Sequence, residues 1–463
     1  MNELTIELKA ESKIPLYEQI YVFIKENIQS GRIVYREKLP STRALAKHLE
    51  VSRSTVELAY EQLLSEGFIE SEPCRGFFAA QIEELYHFRP MQAEEEEKAA
   101  CERYRYDFTP NGVDLKSFPY NAWRKLSKDI LIDDRTELFC SGNPQGEYGF
   151  RSAVCKYLYQ ARGVNCTPGQ VIIGAGSDYL FMLLSMILGT DRKIAFEDPT
   201  YKQAYRLAES LSFECIPIPM DKNGMQVDAL SETDADIAYV TPSHQYPTGI
   251  VMPIRRRMEL LKWAKEKDGR YIIEDDYDSE FRYKGKPIPA LQGYDREGRV
   301  IYLGTFSKSI APAIRLSYMV LPQPLLGIYR ERHGFVNSTV SKVDQLIVQR
   351  FLEEGYYERH LNRMRALYKS RHDVLIESLR PFHGMCRIFG EHAGVHLLLA
   401  FEEDAREEEL ISKAKEQGVR VYGLSDYRIC KGRAARPTIL LGYANLSEGQ
   451  IRDAVRILEE CWK

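Results

Sequence analysis

The chain has no Cys-x-x-Cys pair. Its nine cysteines are odd in number and scattered from Cys74 to Cys461, which argues against both a disulfide framework and a thiolate zinc site. Reduced thiols are expected. No apolar run is long enough to span a bilayer, and Met1 to Ser12 lacks the apolar core of a secretory signal. A cytoplasmic protein with no membrane partner is expected. Charge of one sign is lacking too. With 63 Lys+Arg against 67 Asp+Glu, the net charge of −4 provides no whole-molecule attraction to polyanions, so any nucleic-acid contact must come from a local patch. Neither an internal repeat nor a low-complexity tract is present. What remains is 463 residues, enough for about three domains of ordinary size and a large buried core.

The first eighty residues carry three helical patterns. Leu16, Ile20, Phe23, Ile24 and Ile28 recur at helical spacing, with Gly31 as a stop. Ser41 caps a short helix through His48, and Ser52 caps a third through Glu66, ended by Gly67. Phe68-Ile69 and Gly76-Phe77-Phe78-Ala79, separated by Glu72-Pro73-Cys74-Arg75, read as a hairpin. The unit, residues 1–80, is expected to be a winged helix-turn-helix. Between Arg32 and Arg53 six basic residues face only Glu37 and Glu50, concentrating positive charge around the second helix and the start of the third. In such a motif the start of the recognition helix meets base edges, here Ser52, Arg53, Ser54 and Thr55, while Ser41, Arg43 and Arg75 reach phosphate or groove on double-stranded promoter DNA. The competing reading is a solvated three-helix packing module with surface arginines.

Residues 81–106 lose apolar periodicity and include the run Glu94 to Glu97, which reads as a linker or an exposed helical connector. From Asp107 the pattern changes to short apolar strands alternating with helical segments, at Val171-Ile172-Ile173, Lys193 to Phe196, Ile237 to Val240, Tyr271-Ile272-Ile273 and Val300 to Leu303. A mostly parallel α/β sheet is predicted. Polar residues fall where ligands collect in such sheets, at the strands' carboxyl ends. Gly176, Ser177 and Asp178 open a helix after the first strand and offer amides to a phosphate. Tyr201 follows the second strand. The run Glu274-Asp275-Asp276-Tyr277 ends another, with no histidine among these acids to complete a common transition-metal set, so no metal site is expected. Thr305-Phe306-Ser307-Lys308 closes the last, with Arg315 seven residues beyond the lysine. A lysine so placed, beside hydroxyls and a guanidinium, suits pyridoxal 5'-phosphate: the amine forms an imine, and hydroxyls and arginine take the phosphate.

Three motifs in this order carry a resemblance: Thr241-Pro242-Ser243-His244-Gln245-Tyr246-Pro247-Thr248-Gly249, Ile272-Ile273-Glu274-Asp275-Asp276-Tyr277-Asp278-Ser279-Glu280 and Thr305-Phe306-Ser307-Lys308. Residues 107–463 resemble a fold-type I aminotransferase, with a smaller C-terminal α+β subdomain over roughly 345–463. Joined to Lys38-Leu39-Pro40-Ser41-Thr42-Arg43 and Val51-Ser52-Arg53-Ser54-Thr55-Val56, the whole resembles the MocR subfamily of GntR-type transcriptional regulators. The resemblance implies Lys308 as the Schiff-base lysine, Asp275 at the pyridine nitrogen, Tyr277 at the ring oxygen and Tyr201 stacked on the ring. Gly176, Ser177, Asp178, Thr305, Ser307 and Arg315 would surround the phosphate, and Arg436 would take the carboxylate of an amino-acid effector. Tyr246 stands where ordinary aminotransferases have the asparagine of Asn-Pro-Thr-Gly, leaving open which of His244, Gln245 and Tyr246 reaches the cofactor. Gln203 occupies a position that is arginine in GABA-responsive relatives, which argues against GABA as effector.

The expected function is a homodimeric regulator that binds promoter DNA and senses an amino acid, an amine or pyridoxal phosphate itself through the imine at Lys308. The alternative is a working aminotransferase with an appended DNA-binding module.

Overall fold

The structure, a computed structural model, describes residues 6, 8–9, 12–81, 104–132, 136–283, 288–391, 394–402, 405–430 and 436–463. The chain divides into two compact units, residues 1–101 and 102–463. The predicted linker lies almost wholly outside the described residues. Among those residues no helix is long and apolar enough to cross a membrane.

The amino-terminal unit holds helices α1 (Leu16–Gln29), α2 (Thr42–His48) and α3 (Arg53–Ser65), then strands β1 (Ile69–Glu72) and β2 (Gly76–Ala79). Ile20, Ile24 and Ile28 bury one stripe of α1 against Leu45 of α2 and Val56, Ala59 and Leu63 of α3. Periodicity sufficed here because each helix has a single apolar face. Both predicted caps form: Ser41 accepts from the Ala44 amide and Ser52 from the Thr55 amide, each at 3.2 Å. Tyr60 adds an element not expected from the pattern, its ring buried and its hydroxyl donating to the Pro40 carbonyl at 2.9 Å, which ties α3 to the lead into α2. The hairpin is antiparallel, with Ile69 opposite Ala79 and Glu72 opposite Gly76.

In the second unit, β3 (Tyr106–Asp107) precedes helices α4 (Tyr120–Leu131) and α5 (Tyr148–Arg162). There follow β4 (Val171–Gly174), α6 (Ser177–Leu188), β5 (Lys193–Asp198), α7 (Lys202–Ser210), β6 (Glu214–Asp221), β7 (Gly224–Met225) and α8 (Val227–Ser231). Next are β8 (Ile237–Val240), α9 (Ile254–Lys265), β9 (Tyr271–Asp276), β10 (Val300–Thr305), β11 (Ser317–Val320) and α10 (Gln323–Arg332). These strands form one sheet in the order β4-β11-β10-β9-β8-β5-β6-β7. From β10 through β6 every pairing is parallel, and the central strands β8, β9 and β10 are buried on both faces, as their continuous apolar runs require. One reversal matters. Strand β11 is antiparallel to both β10 and β4, so its first residue, Ser317, pairs with the last residues of its neighbours, Thr305 and Gly174. The chain just before β11 therefore lies at the carboxyl edge of the sheet.

The chain continues through α11 (Lys342–Glu353), α12 (Tyr356–Ser378), β12 (Cys386–Phe389), β13 (His396–Phe401), α13 (Glu407–Glu416), β14 (Val419–Arg420), β15 (Tyr422–Gly423), β16 (Thr438–Gly442) and α14 (Glu448–Trp462). Strands β12, β13, β16 and β15 make an antiparallel sheet backed by helices. The boundary expected near residue 345 is displaced. Ile347, Val348, Phe351, Tyr357 and Leu361 pack with Leu126 and Phe150 in the large core, whereas the small core begins at Met364 and takes in Tyr106 and Phe108 from the other end of the unit. The 23-residue α12 spans both cores, and the parallel pairing of β3 with β14 brings Tyr106 across; neither contact is visible in local sequence.

Leu63 is wholly buried in the amino-terminal core. Leu63→Ala is expected to destabilise that unit by about 2–5 kcal/mol, measured as faster amide hydrogen exchange across α1 and α3.

Candidate functional site

At the carboxyl edge of the large sheet a cavity of about 150 Å3, open at its mouth, is lined by Asn111, Gly176, Ser177, Asp178, Tyr201, Gln203, Thr241, Tyr246, Asp275, Tyr277, Thr305, Ser307, Lys308 and Arg315. Most arrive from the end of a strand or from the turn or helix start that follows, while Asn111 comes from a loop and Arg315 from just before β11. Lys308 is held by its neighbours: Phe306 is buried with its amide on the Leu316 carbonyl at 2.9 Å, and the Ser309 carbonyl accepts from His360 Nε2 at 2.9 Å. The Lys308 amine donates to Asn111 Oδ1 at 3.0 Å. Burial pushes its pKa down to about 8, partly opposed by Asp278, so at pH 7 its neutral fraction exceeds that of an ordinary lysine by a few hundredfold.

The end of β9 sorts its acids by strand alternation. Glu274 accepts the amides of Leu291 and Gln292 at 2.8 Å each, and Asp276 pairs with Arg162 at 2.8 Å and accepts from the Tyr302 hydroxyl at 2.6 Å. Asp275, between them, turns the other way into the cavity. Burial raises its pKa to about 6, while a hydrogen bond from the Tyr239 hydroxyl opposes the rise. Each carboxylate thus has its own partners. No cluster of three metal-ligating side chains occurs among the described residues.

A third cluster forms an anion-sized cup. Because β11 runs backwards, Arg315 returns to the start of α6, where its guanidinium meets Asp178 Oδ2 at 3.3 Å. Gly176 has φ +96°, and a Cβ there would stand 2.7 Å from Arg315 Cζ, so glycine is needed both for the turn and for the approach. Arg315 itself sits at φ +49°, a left-handed conformation costing about 1–2 kcal/mol. Thr305 Oγ1 accepts from the Ser307 amide at 3.1 Å and the Ser317 hydroxyl at 2.8 Å. Ser177 is the first residue of α6, so that helix's free amides face the cup.

Lys308 and all the expected cofactor residues meet in this cavity, and so does Gln203. Arg436 does not. It is exposed at the approach to β16, in the small layer, and is not among the residues that line the cavity. Of the three residues left open, Tyr246 lines the cavity; Gln245 is spent on the carbonyls of Pro199 and Tyr246 at 2.9 and 2.8 Å, and His244 contacts Tyr277 without lining the cavity. Sequence reasoning missed Asn111, Tyr239 and Asp278. Asn111 is 197 positions from Lys308 and belongs to no motif, so no local signal marks it. Tyr239 was detectable as the one residue of the Ile237–Val240 strand with a polar atom.

In the amino-terminal unit the predicted DNA-facing residues cluster at the start of α3. Ser52 Oγ lies 2.8 Å from Ser54 Oγ and 2.7 Å from Thr55 Oγ1. Arg53 and Arg75 are exposed, each paired at 2.7 Å with a carboxylate of its own element, Glu57 and Glu72. Such pairs are worth about 0–1 kcal/mol, so either arginine can leave for phosphate or base at little cost. Ser41 caps α2 and Arg43 is exposed in its first turn.

Residues 16–79 match the gntR family of bacterial regulatory proteins, and residues 110–458 match the class I and II aminotransferases. The chain is 42% identical to the uncharacterized HTH-type transcriptional regulator YdeL of Bacillus subtilis over the full length of both. It is 30% identical to the probable rhizopine catabolism regulatory protein MocR of Rhizobium meliloti, covering 98% of this chain and 95% of that one. The chain belongs to the MocR subfamily of GntR-type transcriptional regulators. Among solved structures, a Pyrococcus horikoshii kynurenine aminotransferase complexed with PMP is similar at 25% identity and TM-score 0.68, covering 78% of this chain and 91% of that one. In this MocR-type chain, then, an aminotransferase fold with a polar cavity is joined in sequence to a GntR-type head.

With its amine at about 8, Lys308 is expected to react with an aldehyde probe at a rate rising about tenfold per pH unit up to that value and levelling above it. Competitive labelling followed by peptide mapping checks this; a rate still climbing in the same way at pH 10 would mean an ordinary lysine.

Proposed function

We propose that this MocR-type regulator binds pyridoxal 5'-phosphate in the cavity at Lys308 and couples amine recognition there to promoter binding by the winged helix. The observation that carries the reading is the convergence of Lys308, Asp275, Tyr277 and Arg315 in one cavity, in a chain whose head matches a DNA-binding family. When bound, the cofactor supplies an aldehyde for amines and a ring that withdraws electrons. The residues present fit it. Gly176, Ser177, Thr305, Ser307 and Arg315 would hold the phosphate, since the cup offers donors and a guanidinium to a dianion. Asp275 would hold a proton on the ring nitrogen, Tyr277 would donate to the ring oxygen, and Tyr201 would cover the ring. Lys308, partly neutral at physiological pH, would provide the nucleophilic amine.

The effector is read as an amino acid or amine. The Gln203 amide donates to Asp178 Oδ1 at 3.0 Å and its oxygen accepts from Tyr201 at 3.0 Å, so it brings no charge to a second carboxylate. Movement of the small layer toward the cavity on binding would bring Arg436 to a ligand carboxylate and give the ligand differential affinity for two states. A homodimer would present two heads to paired half-sites. Slow transamination is a second reading, supported by the same complement of cavity residues and by the aminotransferase fold.

Footprinting on the chain's own upstream DNA tests the proposal. Protection is expected to change at least about fivefold in affinity with pyridoxal phosphate plus an effective amine, and Lys308→Ala should still protect but not respond. No protection under any condition would sink the regulatory reading. Arg53→Ala is expected to weaken operator binding by about 1–3 kcal/mol, read by titration against operator and random DNA. Steady production of keto acid from an amino acid would favour the second reading.

A further inference from the structure

Tyr277 lines the cavity, whereas the group its hydroxyl meets within the protein and that group's own partner do not. These are His244 and Asp278, 3% and 2% exposed. His244 Nδ1 stands 2.9 Å from Asp278 Oδ2, 3.1 Å from Oδ1 and 3.0 Å from the Tyr277 hydroxyl. Glycine makes the room. Gly394, at φ +79°, faces the imidazole, and a Cβ there would come 2.8 Å from both ring nitrogens. A carboxylate only accepts, so Nδ1 carries the hydrogen and donates it to Asp278. Nε2 is left bare, with no partner among the described residues. The neighbouring His396, 5.6 Å away between ring centroids, donates its Nε2 hydrogen to the Pro247 carbonyl at 2.8 Å. Burial and His244 hold it neutral, with a pKa near 4.

With its hydrogen given to Asp278, Nδ1 cannot accept from the Tyr277 hydroxyl 3.0 Å away, so that O–H has no acceptor there. We infer that His244 is a positioning residue which, by occupying Asp278, releases the Tyr277 hydroxyl to donate into the cavity, toward the ring oxygen of the cofactor. The inference rests on the reading of this cavity as a pyridoxal phosphate site. It also accounts for the departure at residue 246. Where ordinary aminotransferases place an asparagine, this chain has Tyr246, whose hydroxyl lies 3.3 Å from that of Tyr427. The burden of donating to the ring oxygen then falls on Tyr277, and its orientation has to be enforced from behind.

The readout is the pH midpoint of the bound cofactor's visible absorption in the full-length chain. The charged and titratable groups facing this corner are Asp275 and Asp278 from β9 and its extension, Arg282 further along that extension, Arg162 on α5, Lys308 after β10, Tyr246 after β8 and His396 on β13. The midpoint belongs to the set, and only its change on substitution reports His244. A donated hydrogen bond favours the anionic ring oxygen, so losing it raises the midpoint. His244→Phe should raise it by about one unit, a tenfold change in proton affinity, and Tyr277→Phe at least as much. In a Tyr277→Phe background His244→Phe should add nothing. His244→Asn, whose amide nitrogen takes the Nδ1 position, should stay near the wild type. If Tyr277→Phe shifts the midpoint and His244→Phe does not, the inference is overturned. If the wild type shows no such band, or Tyr277→Phe shifts nothing, the cofactor-site reading fails instead. Should His244→Phe not fold, nitrogen-15 shifts of His244 in the unsubstituted, cofactor-free chain decide: hydrogen on Nδ1 supports the inference, and hydrogen on Nε2 overturns it.

Discussion

Burial of one amine at the carboxyl edge of a parallel sheet is the constraint on which the rest of the second unit depends. A lysine placed there loses water, and its proton with it, more readily than at a surface, and it must be held by packed neighbours. Phe306 and Ser309 do this from either side, anchored to Leu316 and His360. The same edge gathers a carboxylate from β9, an aromatic after β5 and an anion cup at α6, because parallel strands deliver all their following turns to one side. The reversed β11 completes the set by returning Arg315 to the cup.

Much of this was legible in the sequence because the cavity is built from strand ends. Continuous apolar runs marked β4, β5, β8, β9 and β10, and the polar residues immediately following them were the ones that converged. In the amino-terminal unit the capping serines and the isoleucine stripe of α1 carried enough local information to place all three helices within a residue or two. What escaped was non-local. Asn111 reaches Lys308 across 197 positions, Tyr106 joins the small core through pairing with β14, and α12 spans two cores that a boundary drawn at 345 would separate. Arg436 shows a different limit. A motif can identify a residue type suited to a carboxylate, but where the side chain stands depends on how far the small layer lies from the sheet edge.

Evolution of a sensor from this fold needs less change at the chemistry than around it. The cavity holds groups suited to bind and polarise a cofactor, and around them stand a tyrosine at 246, an uncharged Gln203 fixed between Asp178 and Tyr201, and a buried His244–Asp278 pair behind Tyr277. Each of these bears on which amines react and how the bound ring is held. None removes the capacity to react.

The claim at the centre of this account is that the cofactor is joined to the amine of residue 308. Borohydride reduction of the chain loaded with pyridoxal phosphate, followed by proteolysis and peptide mass mapping, tests it directly. The account predicts a phosphopyridoxyl group fixed to Lys308 at close to one per chain. A label spread over surface lysines, or Lys308 recovered unmodified, would contradict it.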